Sequence, residues 1–157
     1  MEATHKFTIF ADYFQFIVMD ETSDADFSAI WTEEALERML AADESALCPG
    51  TLRNVNVEVE LHLLKRAPSL DLNAYDHVSE ASFVCSSGKV VVMSCTGYLP
   101  EAPRIDVRPG TYEALFAVSG VATISSEWEP AEDKYSLFLW PGAARQAKLL
   151  KHWKRAA

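Results

Sequence analysis

The sequence predicts a mainly β protein, an antiparallel β-sandwich or flattened barrel with one short helix and room for a second helix at the C-terminus. Three observations carry this prediction. Val55, Val57, Val59, Leu61 and Leu63 alternate with Asn56, Glu58, Glu60 and His62, the period of a strand with one face in a core and one in water. Seven or eight short apolar runs follow one another, separated by Pro, Gly, Ser and Asp. Only one segment, near 33–42, carries a full set of helix signals. The alternation also favours antiparallel pairing over a doubly wound parallel sheet, whose strands read as continuous apolar runs.

The first strand signal is Phe7, Ile9 and Ala11 alternating with Lys6, Thr8 and Phe10. Tyr13 to Met19 follows, aromatic and β-branched as strands prefer. Asp20 to Ser28 is polar and acidic and reads as a loop. Thr32 is a good N-cap, because its hydroxyl can accept an orphan backbone N–H. Trp31 and Leu36 are spaced as a hydrophobic staple. Glu33 and Glu34 occupy the first turn, where the helix dipole favours anions. Ala35, Leu36, Met39 and Leu40 form the apolar face, and Cys48-Pro49-Gly50 ends regular structure.

After the 52–64 strand and a polar linker near Pro68 to Asn73, a hairpin is expected. Its strands are Tyr75 to Cys85 and Val90 to Thr96, and its turn is Ser86 to Lys89, with Gly88 free to take a positive φ. That register sets Cys85 opposite Val90 and Cys95 opposite Glu80, so the two thiols do not bridge. Three cysteines make no disulfide framework, and reduced thiols in a cytoplasmic protein follow. Ile105 marks a short edge strand. Tyr112 to Val118 and Tyr135 to Trp140 complete the set.

The chain has 157 residues, 49% hydrophobic and 11% aromatic, enough for one domain with a real core, here 1–142. Residues 143–157 form a basic tail. Gln146, Leu149, Leu150 and Trp153 share a helical stripe with Lys148, Lys151, Lys154 and Arg155 around it, so the tail reads as an amphipathic helix able to dock on the acidic body first, or on a partner or an anionic membrane surface. No run approaches the ~20 apolar residues of a membrane helix, and the N-terminus shows no signal-peptide pattern.

Charge is the most informative feature. The net value is −9, and residues 12–44 hold ten acids against one base, Arg38. The tail holds five bases and no acid, so the remainder carries nine bases against 23 acids, or −14. Such a field repels nucleic-acid phosphates and attracts basic surfaces.

Chemistry-bearing motifs are missing. There is no Gly-rich phosphate loop, nucleophile elbow, Cys-x-x-Cys or His-Glu-x-x-His, so no catalytic, cofactor-binding or metal-ligating residue is assigned. Asp76 and His77 point to opposite faces of a strand and cannot form a dyad, and His77 reads as structural. Asp20, Glu21, Asp24 and Asp26 lack the glycine and spacing of a calcium loop and read as solvated. Cys48 has no basic neighbour to activate it, and Cys85 and Cys95 sit in strands, where burial is the default for a free cysteine. Trp128, in Ser-Ser-Glu-Trp-Glu-Pro, has the setting of a binding anchor.

Several strings together resemble a family of small bacterial proteins without an established activity. They are Phe10-Ala11-Asp12-Tyr13-Phe14-Gln15-Phe16, Trp31-Thr32, His77-Val78-Ser79-Glu80-Ala81-Ser82 and Cys95-Thr96-Gly97-Tyr98. Ala102-Pro103-Arg104-Ile105, Pro109-Gly110-Thr111-Tyr112 and Leu139-Trp140-Pro141 complete the set, over about 7–142. The opening aromatic strand ending at an acid, the Trp-led helix with alanines and the late Pro-Gly-x-Tyr strand are also similar to the competence nuclease-inhibitor (ComJ-like) family. That resemblance implies a protein that neutralises a nuclease.

The expected function is therefore a non-enzymatic binding or inhibitor module with an acidic surface and a basic protein as partner. The residues expected at the interface are Asp20, Glu21, Asp24, Asp26, Glu33, Glu34, Glu37 and Trp128. Two alternatives stand: a sandwich that binds a small molecule or carbohydrate through loop aromatics, and an enzyme whose site assembles only in three dimensions.

Overall fold

The computed structural model describes residues 2–154, and among them eleven strands form two sheets. In chain order the strands are β1 (Ala3–Phe10), β2 (Phe16–Asp20), β3 (Leu40–Asp43), β4 (Ala46–Pro49), β5 (Asn56–Leu63) and β6 (His77–Cys85). They continue with β7 (Lys89–Ser94), β8 (Arg104–Asp106), β9 (Gly110–Ser119), β10 (Lys134–Pro141) and β11 (Lys148–Lys151). The helix α1 (Glu33–Arg38) lies between β2 and β3. One sheet runs β1-β5-β10-β9-β6-β11 and the other β3-β4-β2-β7-β8. All pairs are antiparallel except β5 with β10, which are parallel. Neither sheet closes on itself, so the fold is the sandwich rather than the barrel.

The inner faces of the two sheets make the main core. Val57, Val59 and Leu61 of β5 enter it, as their alternation requires, beside Leu137 and Leu139 of β10. Phe16 of β2 meets Phe116 of β9 edge to face across the sandwich, with ring centroids 6.4 Å apart. A second core lies on the outer face of the five-stranded sheet, where Ile17, Met19, Ala41, Cys48 and Val91 are covered by Ala35, Phe27, Ile30 and Trp31. The acidic stretch after β2 is thus a lid on that sheet. Ala25, Phe27, Ile30 and Trp31 pack inward, while Asp24 and Asp26 face out.

Four sequence expectations are corrected. Residues 77–94 are not a hairpin: β6 pairs with β9 and β11, while β7 pairs with β2 and β8, so the chain changes sheets at Ser86–Gly88. Gly88 still supplies a positive φ, 76°. The second strand is shorter than expected, because Asp12–Phe14 forms a 3-10 turn and β2 begins at Phe16. The helix stops at Arg38 instead of near 42. Met39 takes a left-handed conformation there, and Leu40–Asp43 pairs with Ala46–Pro49 as a strand hairpin. The helix expected in the tail is also a strand. Its accessibility alternates with period 2, Leu149, Lys151 and Trp153 being more buried than Lys148, Leu150 and His152. The open edge of β6 supplies ladder partners, and a short isolated helix has little stability to set against them. Arg155, expected on that helix, lies outside the described residues.

The tail sits on the body. Arg145 pairs with Glu80, at 2.7 Å, and with Glu113, and its backbone N–H donates to Ser82 Oγ at 2.8 Å. His152 of the tail stands 4.0 Å from Glu37 of α1.

Candidate functional site

The residues expected at the interface separate into two groups. Asp20 has no surface to offer a partner, being 2% exposed. It ends β2 and accepts hydrogen bonds from the Ser87 N–H (3.1 Å), Ser87 Oγ, Ser86 Oγ (3.3 Å), Thr22 Oγ1 (2.5 Å) and Cys85 Sγ (3.4 Å). Burial alone would raise its pKa, but the donors from Ser87, Thr22 and Cys85 outweigh it and hold the carboxyl down at about 2. Asp20 is the pin of the sheet-to-sheet crossover. Glu21 is half-buried and takes Arg104 Nε at 2.7 Å, which ties the lid to β8.

Asp24, Asp26, Glu33, Glu34 and Glu37 are exposed. Asp26 accepts from Ser28 Oγ and N–H, which lowers its pKa and keeps it ionised. Thr32 caps α1 as its sequence predicts, accepting the Ala35 N–H at 3.1 Å. The helix therefore presents its three glutamates from a fixed start. Trp128 is also exposed, at 75%. Its loop is fixed from beneath, because Arg53 donates to both Asp133 oxygens and, through Nη1, to Glu129 O at 3.0 Å.

Beside α1 lies a hollow that sequence reasoning did not find. About 250 Å³ in volume, it is lined by Tyr13, Phe14, Trp31, Leu36, Met39 and Leu52, with Gln15, Gly50 and Thr51. Tyr13 (69% exposed), Leu36 (64%) and Phe14 (45%) leave apolar surface open around it. The spacing of Trp31 and Leu36 was the available signal: both staple residues line the hollow, yet Leu36 stays open to solvent. Among the described residues, the three non-glycine residues with positive φ, Tyr13 (60°), Phe14 (60°) and Met39 (57°), all belong to this wall. Each left-handed residue costs on the order of 1 kcal/mol, and such strain collects where geometry is held for a task. Phe14 and Leu52 also border a second hollow of about 460 Å³, shared with Val121, Ile124, Glu127 and Trp153. Arg53, Ser125 and Ser126 line it too, so a strip of mixed apolar and polar surface runs from α1 to Glu127, next to Trp128.

Nothing in the site resembles an activated nucleophile. Burial, and then Cys95, push the Cys48 thiol up to about 12. Burial, and then the hydrogen bond to Asp20, push Cys85 up to about 11. The three cysteines are free thiols. His77 is buried between two backbone groups, with Nε2 2.6 Å from Arg38 O and Nδ1 3.1 Å from the Trp153 N–H. The Trp153 N–H needs an acceptor, so Nδ1 is bare and Nε2 carries the proton. Among the described residues, no three of His, Cys, Asp and Glu stand close enough together to hold a metal ion, and no helix is long and apolar enough to cross a membrane.

No family model and no curated protein matches the chain. Two solved structures share its fold. ComJ from Bacillus subtilis, an inhibitor of the DNA-degrading activity of NucA, aligns with a TM-score of 0.66 and 19% identity, over 89% of this chain and 96% of its own. The product of crocagin biosynthetic gene J aligns with a TM-score of 0.63 and 18% identity, over 91% of this chain and 99% of its own. At these identities the likeness is one of fold.

Proposed function

We propose that this chain is a non-enzymatic inhibitor module that captures a basic protein, a nuclease foremost, on the face formed by the acidic lid and α1. One observation carries the reading. Asp24, Asp26, Glu33, Glu34 and Glu37 are exposed on the lid and on α1, and α1 also carries Leu36, which lines an open, largely apolar hollow. Concentrated negative charge speeds encounter with a basic surface, and the hollow supplies the desolvated contact that charge alone lacks. A nuclease must carry basic surface to hold DNA phosphates, so it offers the complement of this face. The fold shared with ComJ, which inhibits a nuclease, supports the same reading.

The test adds the purified chain to basic nucleases and follows cleavage of labelled duplex DNA. Stoichiometric inhibition that is lost when Glu33, Glu34 and Glu37 are together changed to Lys supports the proposal. Unimpeded cleavage by every nuclease tried would remove the nuclease from it. Equal inhibition by the charge-reversed chain would remove the acidic face.

A further inference from the structure

The hollow beside α1 differs from a polar ligand site, because most of its polar groups are already engaged within the protein. Gln15 Oε1 accepts Trp31 Nε1–H at 2.6 Å and Cys48 Sγ–H at 2.9 Å. Thr51 Oγ1 donates to Arg53 O at 2.8 Å. The Gly50 and Thr51 N–H groups donate to Met39 O and Phe14 O. What remains for an occupant is shape, mainly apolar surface, and the Gln15 amide N–H2 and Tyr13 hydroxyl. A sugar or a charged metabolite would bury more polar groups there than these can partner, which is costly.

The volume, about 250 Å³, holds one large side chain. The rim is acidic. Glu33 lies one turn from Leu36 on α1 and so on the side of the open wall, and Glu37 stands one turn beyond Glu33. The walls are also set in advance: Trp31 is fixed by its hydrogen bond, and Tyr13, Phe14 and Met39 are held in left-handed conformations. A preformed socket loses little freedom when it is filled.

We infer that this hollow is an anchor socket for a single large apolar side chain of the partner, one flanked in the partner's sequence or surface by Lys or Arg that meet Glu33 and Glu37. The inference rests on the acidic-face reading and adds to it the chemistry of the contact at its centre.

Two short peptides separate the two claims, Lys-Arg-Leu-Lys-Arg and Lys-Arg-Ala-Lys-Arg, each titrated into the ¹⁵N-labelled chain and followed by amide shifts. The leucine peptide should bind about tenfold more tightly than the alanine peptide, the scale expected for burying several apolar carbons. It should also move the amides of Phe14, Leu36, Gly50 and Leu52. Tyr13→Asn removes one wall while keeping a residue that tolerates the left-handed conformation. It should bring the two peptides to equal affinity, and Leu36→Ser, at an exposed position, should do the same. Equal affinity of both peptides for the unaltered chain overturns the socket while leaving the acidic face intact. If changing Glu33, Glu34 and Glu37 to Lys leaves both peptides bound as before, the acidic-face reading fails, and the socket as proposed fails with it.

Discussion

Arg53 and Asp133, 80 positions apart in the chain, meet in a two-pronged ion pair shielded from water: Nε to Oδ2 at 3.1 Å and Nη2 to Oδ1 at 2.6 Å. Tyr135 adds its hydroxyl to Asp133 Oδ2 at 2.8 Å and accepts the Leu52 N–H at 3.0 Å. This network joins the segment before β5 to the start of β10 and fixes two parts of the proposed face, Leu52 and the Trp128 loop. Removing one partner leaves a buried, uncompensated charge. Arg53→Met should therefore cost about 3–5 kcal/mol in urea unfolding, and the double variant Arg53→Met, Asp133→Leu should recover much of it. A single-variant loss under about 1 kcal/mol would show that the pair is solvated in solution.

Asp20 predicts a specific acid sensitivity. Its pKa falls from 3.8 to about 2 on folding, so its contribution is complete above about pH 4 and is lost as pH drops through 3.8 towards 2. That shift corresponds to about 2 kcal/mol. Asp20→Asn should be destabilised by about that much at pH 7, and the gap to the unaltered chain should close at the acid end. A gap that stays constant from pH 7 to the acid limit would contradict the assignment of Asp20 as an ionised crossover pin.

His77 acts in the same direction at higher pH. Burial lowers its pKa below the ordinary 6.5, with the Arg38 carbonyl opposing and His152 assisting. The unfolded chain takes up the proton first, so stability is full above about pH 6.5 and declines below it. His62 is lowered too, chiefly by burial, so the unaltered chain alone cannot separate the two. Comparison with His77→Gln isolates what His77 contributes: the variant should lose less stability between about pH 7.5 and 5.5. Protonation also removes the acceptor for the Trp153 N–H, and exchange of that amide should quicken over the same range. Parallel pH curves for the two chains would show that His77 does not titrate in this window.

The thiols should be slow. Cys48 and Cys85 are buried and held far above neutrality, and burial raises Cys95 as well. A thiol reagent at pH 7 should react slowly with the folded chain and find three thiols after denaturation without reductant. Fast reaction of a buried cysteine in the folded chain would show that its sheet opens readily.

The parts of the fold written in local pattern were legible in the sequence. The alternation of β5, the Thr32 cap and the positive φ of Gly88 each depend on residues within a few positions. What failed depended on distant partners. Ala41, Ala42, Ala46 and Leu47 favour a helix by propensity, yet β2 offers β4 an open ladder and the pair β3–β4 forms. Ser86–Gly88 reads as a tight turn whether it joins two strands of one sheet or passes between sheets. Distant partners decide between them: the ladders of β6 with β9 and of β7 with β2, and the carboxylate of Asp20, 67 residues before Ser87, which accepts the Ser87 N–H. The same distance hid the site. Exposed glutamates on α1 were readable, but the hollow beside them draws on Tyr13, Trp31, Met39 and Leu52, four separate segments.

The acidic face is tested most directly by its affinity for a basic partner. The unaltered chain and the Glu33→Lys, Glu34→Lys, Glu37→Lys variant are titrated against one purified basic protein that the chain captures, at about 50 mM and about 300 mM salt. The account predicts binding at least tenfold weaker for the variant at low salt, with the gap narrowing at high salt as screening removes the electrostatic share. Equal affinity of the two chains at low salt would contradict it.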